Sequence, residues 1–358
     1  MPFGTLGVLD TLAATQQSLI AYGEDRAWSE IAALLAAHNE QMTDMMAGLV
    51  ERSNDRLRRY GTAASKTMQE LDEFGRPQAQ KVTAGATLGF PLRLYGDALQ
   101  WTRKFMQTGG SAAQLAAEMT SILDSDRRLT LYEMKRALFT PTNTTFADRL
   151  IDNIDIPVKA LVNADSATLP IGPNGESFDG ATHTHYLYTA GTSLAAADVS
   201  GLISTVREHT SMGRVDLYIN SANETAMRGL TGFVGHIYGY ISRGGGATTD
   251  VTNQSLSPQN PGDRSIGFFG ESEVFVKPWM PSGYVLAINS GAAQAPLVLR
   301  TRPGAGDLQL VSEFADHPLQ ARAYEREFGI GVYNRVGAAV LFIDAGSGGA
   351  YVAPTLTN

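Results

Sequence analysis

His183 and His185 are the pair of side chains in this sequence whose types and spacing best suit metal chemistry. They lie in a stretch that reads as extended chain, and residues at i and i+2 of a strand point to the same face. Imidazoles on one face can begin a zinc site, which usually takes four ligands in tetrahedral geometry. No third ligand with suitable spacing is visible, so we predict no metal and no other cofactor.

Paired carboxylates are the second candidate, because two acidic groups in one cleft can serve as general acid and general base. The pairs are Asp124 and Asp126 in a predicted helix, and Glu325 and Glu327 in a predicted strand. Alternate carboxylates on a strand face are usually solvated or paired with basic neighbours, here Arg322 and Arg326. Neither pair therefore indicates an active site.

The common catalytic and nucleotide-binding motifs are absent from the sequence. It contains no G-x-S-x-G elbow, no G-x-x-x-x-G-K-[ST] loop, no H-E-x-x-H and no G-x-G-x-x-G between a strand and a helix. Gly235, Gly239 and Gly244 imitate a nucleotide loop only loosely, since the residues between them are strand-like. We predict that the protein is not an enzyme.

A short basic run could in principle contact nucleic acid. It contains Arg52, Arg56, Arg58 and Arg59 beside Asp55, and we interpret it as a solvated helix end. The whole chain has 28 Lys and Arg against 36 Asp and Glu, a net charge of −8. This balance is too acidic for a protein whose main task is to grip phosphates, although a local basic face remains possible.

Length and composition indicate a folded protein of about two domains. The chain has 358 residues, 43% of them hydrophobic, which is enough for substantial cores. It has no cysteine, which excludes disulfides, thiolate metal sites and a cysteine nucleophile and fits synthesis in a reducing cytosol. No apolar run approaches the roughly 20 residues of a membrane span, and the N-terminal sequence does not resemble a secretory signal.

One long helix is the element around which the other predicted elements are arranged. Ser111 to Phe139 begins with a capping box formed by Ser111 and Gln114, and Pro141 stops it. At about 1.5 Å per residue the helix is about 43 Å long, so a single compact core cannot cover its full length. We therefore expect it to act as a beam that connects different parts of the molecule.

Two helices are predicted before this beam, from Thr11 to Tyr22 and from about Trp28 to Leu49. The second carries an apolar stripe that ends in Met42, Met45, Met46 and Leu49. Methionine fills irregular cores but also forms adaptable contact surfaces, and both interpretations stay open.

The stretch from Gly61 to Thr102 alternates polar and apolar residues and has little apolar density, which predicts a long two-stranded excursion rather than a compact domain. After the long helix, helix and strand patterns alternate as in an α/β layer. The glycine-rich stretch from Arg243 to Asp263 is predicted to be a long loop. The predicted helices are Ala195–Thr210 and Ala222–Leu230, and the predicted strands are Val215–Asn220, Glu273–Pro278, Tyr284–Asn289, Leu297–Arg302, Leu308–Glu313, Tyr324–Tyr333 and Val336–Phe342.

Two segments and the order of the parts resemble a known family. The segments are DEFGRPQAQKVTAGATLGFPLRLYGDALQWT from Asp72 to Thr102 and DHPLQARAYEREFGIGVYNRVGAAVLFID from Asp316 to Asp344. The first resembles an extended loop that runs into a long spine helix, and the second a charged strand that crosses this helix and returns to the α/β domain. The chain thus resembles the major capsid proteins of tailed double-stranded-DNA phages, with the Hong Kong 97 fold that encapsulin shells share.

The resemblance implies an α+β fold with a helical N-terminal arm, an E-loop, a peripheral domain and an axial domain. The implied ranges are 1–60 for the arm, 61–104 for the E-loop, 105–160 and 303–334 for the peripheral domain with its spine helix 111–139, 161–302 and 335–345 for the axial domain, and 346–358 for a C-terminal tail. The implied contact residues between subunits are Met42, Met45, Met46, Leu49, Phe74, Arg76, Lys81, Phe90, Arg93, Arg322, Glu325, Arg326 and Glu327.

The implied function is self-assembly into hexamers and pentamers of an icosahedral head that encloses double-stranded DNA without sequence specificity. The implied partners are further copies of the chain, a portal protein and possible separate scaffold and decoration proteins, with no membrane. Assembly would take place in the host cytoplasm, and the product would be the virion. An encapsulin-like compartment for a cargo enzyme and a soluble enzyme of another fold are the alternatives.

Two features differ from the founding member of that family. Only about sixty residues precede the predicted E-loop, which implies a separate scaffold protein or none. A covalent link between an E-loop lysine, Lys66 or Lys81, and Asn334 of a neighbouring subunit is possible in principle, but we do not predict it.

Overall fold

The computed structural model describes residues 22–62, 68–71, 73–79, 84–102, 104–105, 110–189, 191–209, 213–236, 264–316, 319–344, 346 and 349–357. The helices are α1 (Glu24–Met46), α2 (Ala112–Phe139), α3 (Ala196–Arg207) and α4 (Glu224–Arg228), with a 3-10 turn at Ser221–Asn223. The strands are β1 (Val50–Ser53), β2 (Leu57–Thr62), β3 (Ala84–Gly89), β4 (Arg93–Thr102), β5 (Thr144–Ala147), β6 (Asp155–Val158), β7 (Tyr186–Tyr188), β8 (Val215–Ile219), β9 (Phe233–Gly235), β10 (Arg264–Phe269), β11 (Ser272–Val276), β12 (Tyr284–Asn289), β13 (Leu297–Thr301), β14 (Gln309–Asp316), β15 (Leu319–Val332) and β16 (Ala338–Phe342).

Helix α2 confirms the predicted beam. The Ser111 hydroxyl accepts the Gln114 backbone N–H, and the Gln114 side chain accepts the Ser111 N–H in return, so both halves of the capping box are present. Its first half packs with α1 and Trp101, whereas Met134, Leu138 and Phe139 near its end enter a second core. The helix therefore joins two cores, because neither is long enough to cover it.

Strand β15 is the centre of a five-stranded sheet. One of its edges pairs with β4 along residues 319–328, and the other pairs with β14 and then with β13, which continues to β1. The segment Leu297–Thr301 lies within the range predicted for the axial domain, and Arg93–Thr102 within the range predicted for the E-loop. These segments are β13 and β4, and both belong to this sheet because each pairs antiparallel with β15.

A seven-stranded sheet forms the α/β layer, in the order β7-β16-β12-β8-β11-β10-β9. All six residues of its interior strand β12 are buried. Tyr284, Leu286 and Ile288 face the core shared with α2 and the five-stranded sheet, while Val285 and Ala287 face α3. Because successive side chains of a strand point to opposite faces, β12 contributes to two cores.

The two-stranded excursion is shorter than predicted. Strands β2 and β3 pair antiparallel with each other, with Leu57 opposite Gly89. The chain then enters β4 of the large sheet. Between the two strands, Met68 is 96% exposed and Phe74 is 87% exposed. The excursion thus presents apolar side chains that the rest of the described chain does not cover.

Helix α1 packs on α2 and is part of the folded body. Trp28 stacks on Trp101 of β4 with ring centroids 5.3 Å apart, and Ile31 and Leu34 are buried in the same cluster. Of the predicted apolar stripe, Met42, Met46 and Leu49 are buried within this chain. Met46 and Leu49 belong to the core at the end of α2, and Met45 packs partly against that core. The core-filling interpretation of the methionines therefore holds for the subunit itself.

The basic run was predicted to be a solvated helix end, and this is wrong. Arg52 lies in β1, and Arg58 and Arg59 lie in β2. Arg56 forms ion pairs with Asp148 and Asp152, and Arg58 with Glu51 and Asp55. These acidic partners neutralise much of the local positive charge. Some predicted features lie outside the described residues: the helix Thr11–Tyr22 except its last residue, the loop 243–263, and Lys66.

Candidate functional site

The paired carboxylates, which the sequence did not favour as an active site, mostly form ion pairs. Asp124 forms a half-exposed ion pair with Arg127 at 3.2 Å, and the buried Glu327 pairs with Arg302 at 2.8 Å. Glu325 is half-buried on β15 and lies against Gly96 of β4. These side chains do not converge on a common cleft.

Asp126 is the centre of a buried polar network that ties α1, α2 and β15 together. Its carboxylate accepts hydrogen bonds from Nη1 of Arg326, with 3.0 Å between Nη1 and Oδ2, and lies 2.9 Å from Nε2 of His38. Arg326 also donates to the Thr130 hydroxyl and to the Gly306 carbonyl. Burial raises the pKa of Asp126, but the hydrogen bonds from His38 and Arg326 outweigh it and hold that pKa below its ordinary value.

Six of the predicted contact residues are buried within the chain, so their side chains present little surface to a neighbouring subunit. Hydrophobic burial explains Met42, Met46, Leu49 and Phe90, while ion pairing explains Arg326 and Glu327. Phe90 illustrates the cause. It lies against Gly331 of β15, where a Cβ atom would collide with the ring, so the chain crosses the strand closely enough to exclude solvent.

The other predicted contact residues remain accessible to different degrees. Phe74 and Arg76 are exposed on the excursion, and Lys81 lies outside the described residues. Arg322 stacks on Trp28 and pairs with Glu313, and Arg93 lies over Phe146. Met45 and Glu325 are half-buried. Phe74 and Arg76 are therefore the most exposed of the predicted residues that the structure describes.

Three exposed apolar surfaces stand out on the described chain. We call them the excursion surface (Met68, Leu71 and Phe74), the hairpin surface (Leu310, Val311, Phe314 and Leu319 of β14 and β15) and the loop surface (Leu150, Ile151 and Ile154). The sequence pointed only to Phe74 of these. All eight residues of β14 are exposed. In the sequence, the signal that could have identified the hairpin surface is a strand in which Leu, Val and Phe are interspersed with polar residues.

The loop surface is held in place by Asp148. The backbone N–H groups of Ile151, Asp152 and Asn153 donate to the Asp148 carbonyl, and Asn153 adopts a left-handed conformation with φ of 59°. The Asp148 carboxylate is buried and pairs with Arg300 at 2.9 Å. This hydrogen-bonded turn thus presents Ile151 and Ile154 to solvent. The rest of the described chain does not bury their side chains, so they contribute little hydrophobic stabilisation to the subunit.

The structure brings His183 and His185 together with Glu208 and His209, which follow α3. Burial lowers the pKa of His183 and holds the pKa of His185 well below its usual range. Burial also lowers the pKa of His209, to about 4, and the neighbouring His183 adds to this effect. Burial raises the pKa of Glu208. Glu208 and His209 were not predicted from the sequence, because they lie 23 or more positions from His183 and His185 along the chain. The adjacent Glu-His pair after a helix was the only local signal for them.

Among the described helices, none is both long enough and apolar enough to cross a membrane.

Comparisons with known proteins find similarity in structure but not in sequence. No family model and no curated protein sequence matches the chain. A solved structure from Mycobacterium phage Patience matches with a TM-score of 0.65 and 23% identity, over 91% of this chain and 90% of that one. The capsid of the native GTA particle gives a TM-score of 0.48 with 11% identity, over 85% and 90%. The holo-SrpI encapsulin complex from Synechococcus elongatus gives 0.45 with 11% identity, over 86% and 90%.

Proposed function

We propose that this chain, which has the Hong Kong 97-like fold, is a major capsid protein that assembles the shell of a tailed-phage head. The observation that carries the proposal is the match of nearly the whole chain, at a TM-score of 0.65, to a structure from a phage. The match covers 91% of a chain that is built from both helices and sheets, so the predicted α+β fold is confirmed.

The exposed apolar surfaces support the shell role. Soluble monomers rarely expose large contiguous apolar patches, and such patches usually mark contacts between proteins. The excursion, hairpin and loop surfaces all place large apolar side chains in solvent. In a closed shell each subunit meets several neighbours, so several separate patches are expected on one chain.

Assembly into hexamers and pentamers is the arrangement that we propose for these surfaces. The excursion between β2 and β3 lies on a neighbouring subunit, with Phe74 and Arg76 among the contact residues. The hairpin of β14 and β15 contacts a second neighbour through Phe314, which is 55% exposed. In this arrangement α1 acts as part of the subunit core and not as part of an arm.

The shell encloses double-stranded DNA and contacts it without reading its sequence. The net charge of −8 makes strong phosphate binding by the whole subunit unfavourable, and several arginines are paired with acidic residues. DNA contact is therefore weak, local and independent of sequence. A portal protein, with separate scaffold or decoration proteins, completes the assembly in the host cytoplasm.

Recombinant expression tests the shell role directly. We expect the purified chain to sediment as capsomers or closed shells, because the exposed apolar surfaces are buried only by neighbours. The double variant Met68→Ser, Phe74→Ser should leave the circular dichroism spectrum unchanged and shift the protein to smaller species. Gln78→Ser, an exposed polar position in the same segment, is the matched control and should assemble normally.

A homogeneous monomer of the wild-type chain at micromolar concentration would contradict the proposal. The neighbouring genes separate a phage head from a cargo compartment. Portal and terminase genes beside this one support the phage head, whereas an adjacent gene for a packaged enzyme would support the compartment.

A further inference from the structure

The four residues of the histidine cluster, His183, His185, Glu208 and His209, come from two segments that the fold holds side by side. His183 and His185 flank Thr184, which forms a β-bridge with Asn163. His185 is fixed further by its own N–H, which donates to Val162, and by its carbonyl, which accepts from Val340 of β16. Glu208 caps the C-terminal end of α3, and His209 follows it.

The potential ligand atoms are already close together. Nε2 of His183 lies 2.9 Å from Nε2 of His209 and 3.2 Å from Oε1 of Glu208, and Nε2 of His209 lies 3.7 Å from the same carboxylate oxygen. All four ligand atoms lie within 4.8 Å of one another. Bonds of about 2.0–2.2 Å in a tetrahedron place ligand atoms about 3.3–3.5 Å apart, so only small side-chain movements separate this cluster from a tetrahedral site.

His185 is oriented as metal-binding histidines commonly are. Its Nδ1 donates a hydrogen bond to the Ala338 carbonyl at 2.8 Å, which leaves the lone pair on Nε2. That Nε2 atom is completely buried and has no hydrogen-bond partner. A buried nitrogen lone pair without a partner is unfavourable, and a metal ion among the four side chains would satisfy it.

The surroundings hold the cluster in place, and the nearby cation is itself paired with a carboxylate. Phe178 packs on both rings, with centroids 5.1 Å from His183 and 4.2 Å from His209. Arg335 is the nearby cation, and its guanidinium donates to the Ala160 carbonyl and pairs with Asp165 at 3.2 Å. The carboxylate of Glu208 would add one negative charge to the site. His183 and Glu208 are partly exposed, which gives an ion a route from solvent.

We propose that His183, His185, Glu208 and His209 bind one divalent transition-metal ion, with zinc as the best fit. Three imidazoles and one carboxylate suit zinc better than magnesium or calcium, which prefer sets of oxygen ligands. Four protein ligands leave no open position, so the site is structural rather than catalytic. The ion joins the segment before β7 to the end of α3 and braces the α/β layer, whatever the chain assembles into.

Metal titration of the purified full-length chain tests this proposal. After removal of bound metal with a chelator, we expect one equivalent of zinc to bind in calorimetry, with an increase in melting temperature. Cobalt(II) should give the intense visible absorption of tetrahedral coordination. His183→Gln should weaken zinc binding at least tenfold, and the more exposed Glu208→Gln gives a second test that disturbs the fold less.

His236→Gln is the matched control. Nε2 of His236 lies 2.7 Å from the Ser265 hydroxyl, away from the cluster, so this variant should bind zinc as the wild type does. Circular dichroism establishes that each variant is folded. A wild-type chain that binds no zinc, or folded His183→Gln and Glu208→Gln variants that bind it with unchanged affinity, would overturn the proposal. Because the test measures metal and not assembly, its result is independent of the shell role.

Discussion

Asp126 shows how one buried residue can join parts of the chain that lie far apart in sequence. Its partners are His38 on α1 and Arg326 on β15, so the network crosses 88 and 200 residues of sequence. Asp126 and Arg326 are both almost completely buried. Removal of one partner leaves the other charge buried and unpaired, which is far more costly than the loss of a surface ion pair.

We predict that Asp126→Asn lowers the free energy of unfolding by about 3–5 kcal/mol, because the Arg326 charge loses its partner inside the protein. Urea denaturation of the purified chain measures this change. Asp124→Asn, two residues away on the same helix, removes only a half-exposed pair with Arg127 and should cost less than about 1 kcal/mol. Equal effects of the two substitutions would contradict the assignment of the network.

Asp165 gives a pH dependence of stability whose sign follows from its environment. Burial raises its pKa, but the Lys159 hydrogen bond and the Arg335 charge outweigh it and bring the pKa to about 2, against an ordinary value of 3.8. The folded state thus favours the carboxylate, so its contribution is present above about pH 4 and is lost as the pH falls towards 2.

The expected result is that the stability difference between wild type and Asp165→Asn is largest at neutral pH and shrinks between pH 4 and pH 2. Chemical denaturation at several pH values measures it. A difference that stays constant over this range would show that Asp165 does not form the ion pairs described here.

Residue-level burial was the least predictable aspect from sequence. Alternation along β15 correctly placed charged residues on a strand, but Arg326 and Glu327 are adjacent and both buried. The reason is that β4 pairs along one edge of β15, α2 packs across it, and Arg302 reaches Glu327. These contacts connect segments about 25 to 230 residues apart, and no local pattern encodes them.

Helix α2 illustrates what a sequence does predict at the level of elements. Its start was predicted correctly because the capping box is formed by residues three positions apart, and its end because proline follows closely. The strands β4 and β13 were predicted as extended segments but assigned to other parts of the fold. Strand pairing across long separations decides such assignments, and a single sequence does not specify it.

We expect Ser111→Ala to lower the free energy of unfolding by about 1 kcal/mol, because the Gln114 backbone N–H loses the hydroxyl that caps it. Thermal or urea denaturation measures the loss. Ser121→Ala is the control on the same helix. Ser121 is exposed, and alanine is the better helix former, so this variant should be as stable as wild type or slightly more stable. The reverse order of stabilities would mean that the cap does not form.

Helix α1 is predicted to contribute to folding as well as to any assembly. Trp28→Ala removes the stack on Trp101 and the contact with Arg322, and should lower the free energy of unfolding by about 3–5 kcal/mol. Denaturation of unassembled protein tests this separately from shell formation. If the variant retained full stability and lost only assembly, α1 would belong to an arm that lies on neighbouring subunits.

At the scale of the whole molecule, the fold combines two cores joined by one long helix with three apolar surfaces that the described chain leaves open. One core lies between the two sheets and the end of α2, and a further core lies between the seven-stranded sheet and α3, so both sheets are packed within the subunit. The excursion, hairpin and loop surfaces lie outside those cores. Folding and assembly therefore depend on different residues, which is why surface variants can separate them.

A cryo-electron microscopy reconstruction of the particles formed by the purified chain tests the central claim most directly. The account predicts a closed shell of hexamers and pentamers in which the excursion surface, with Met68 and Phe74, is buried against a neighbouring subunit. A small oligomer, or a shell in which this surface remains in solvent, would contradict it.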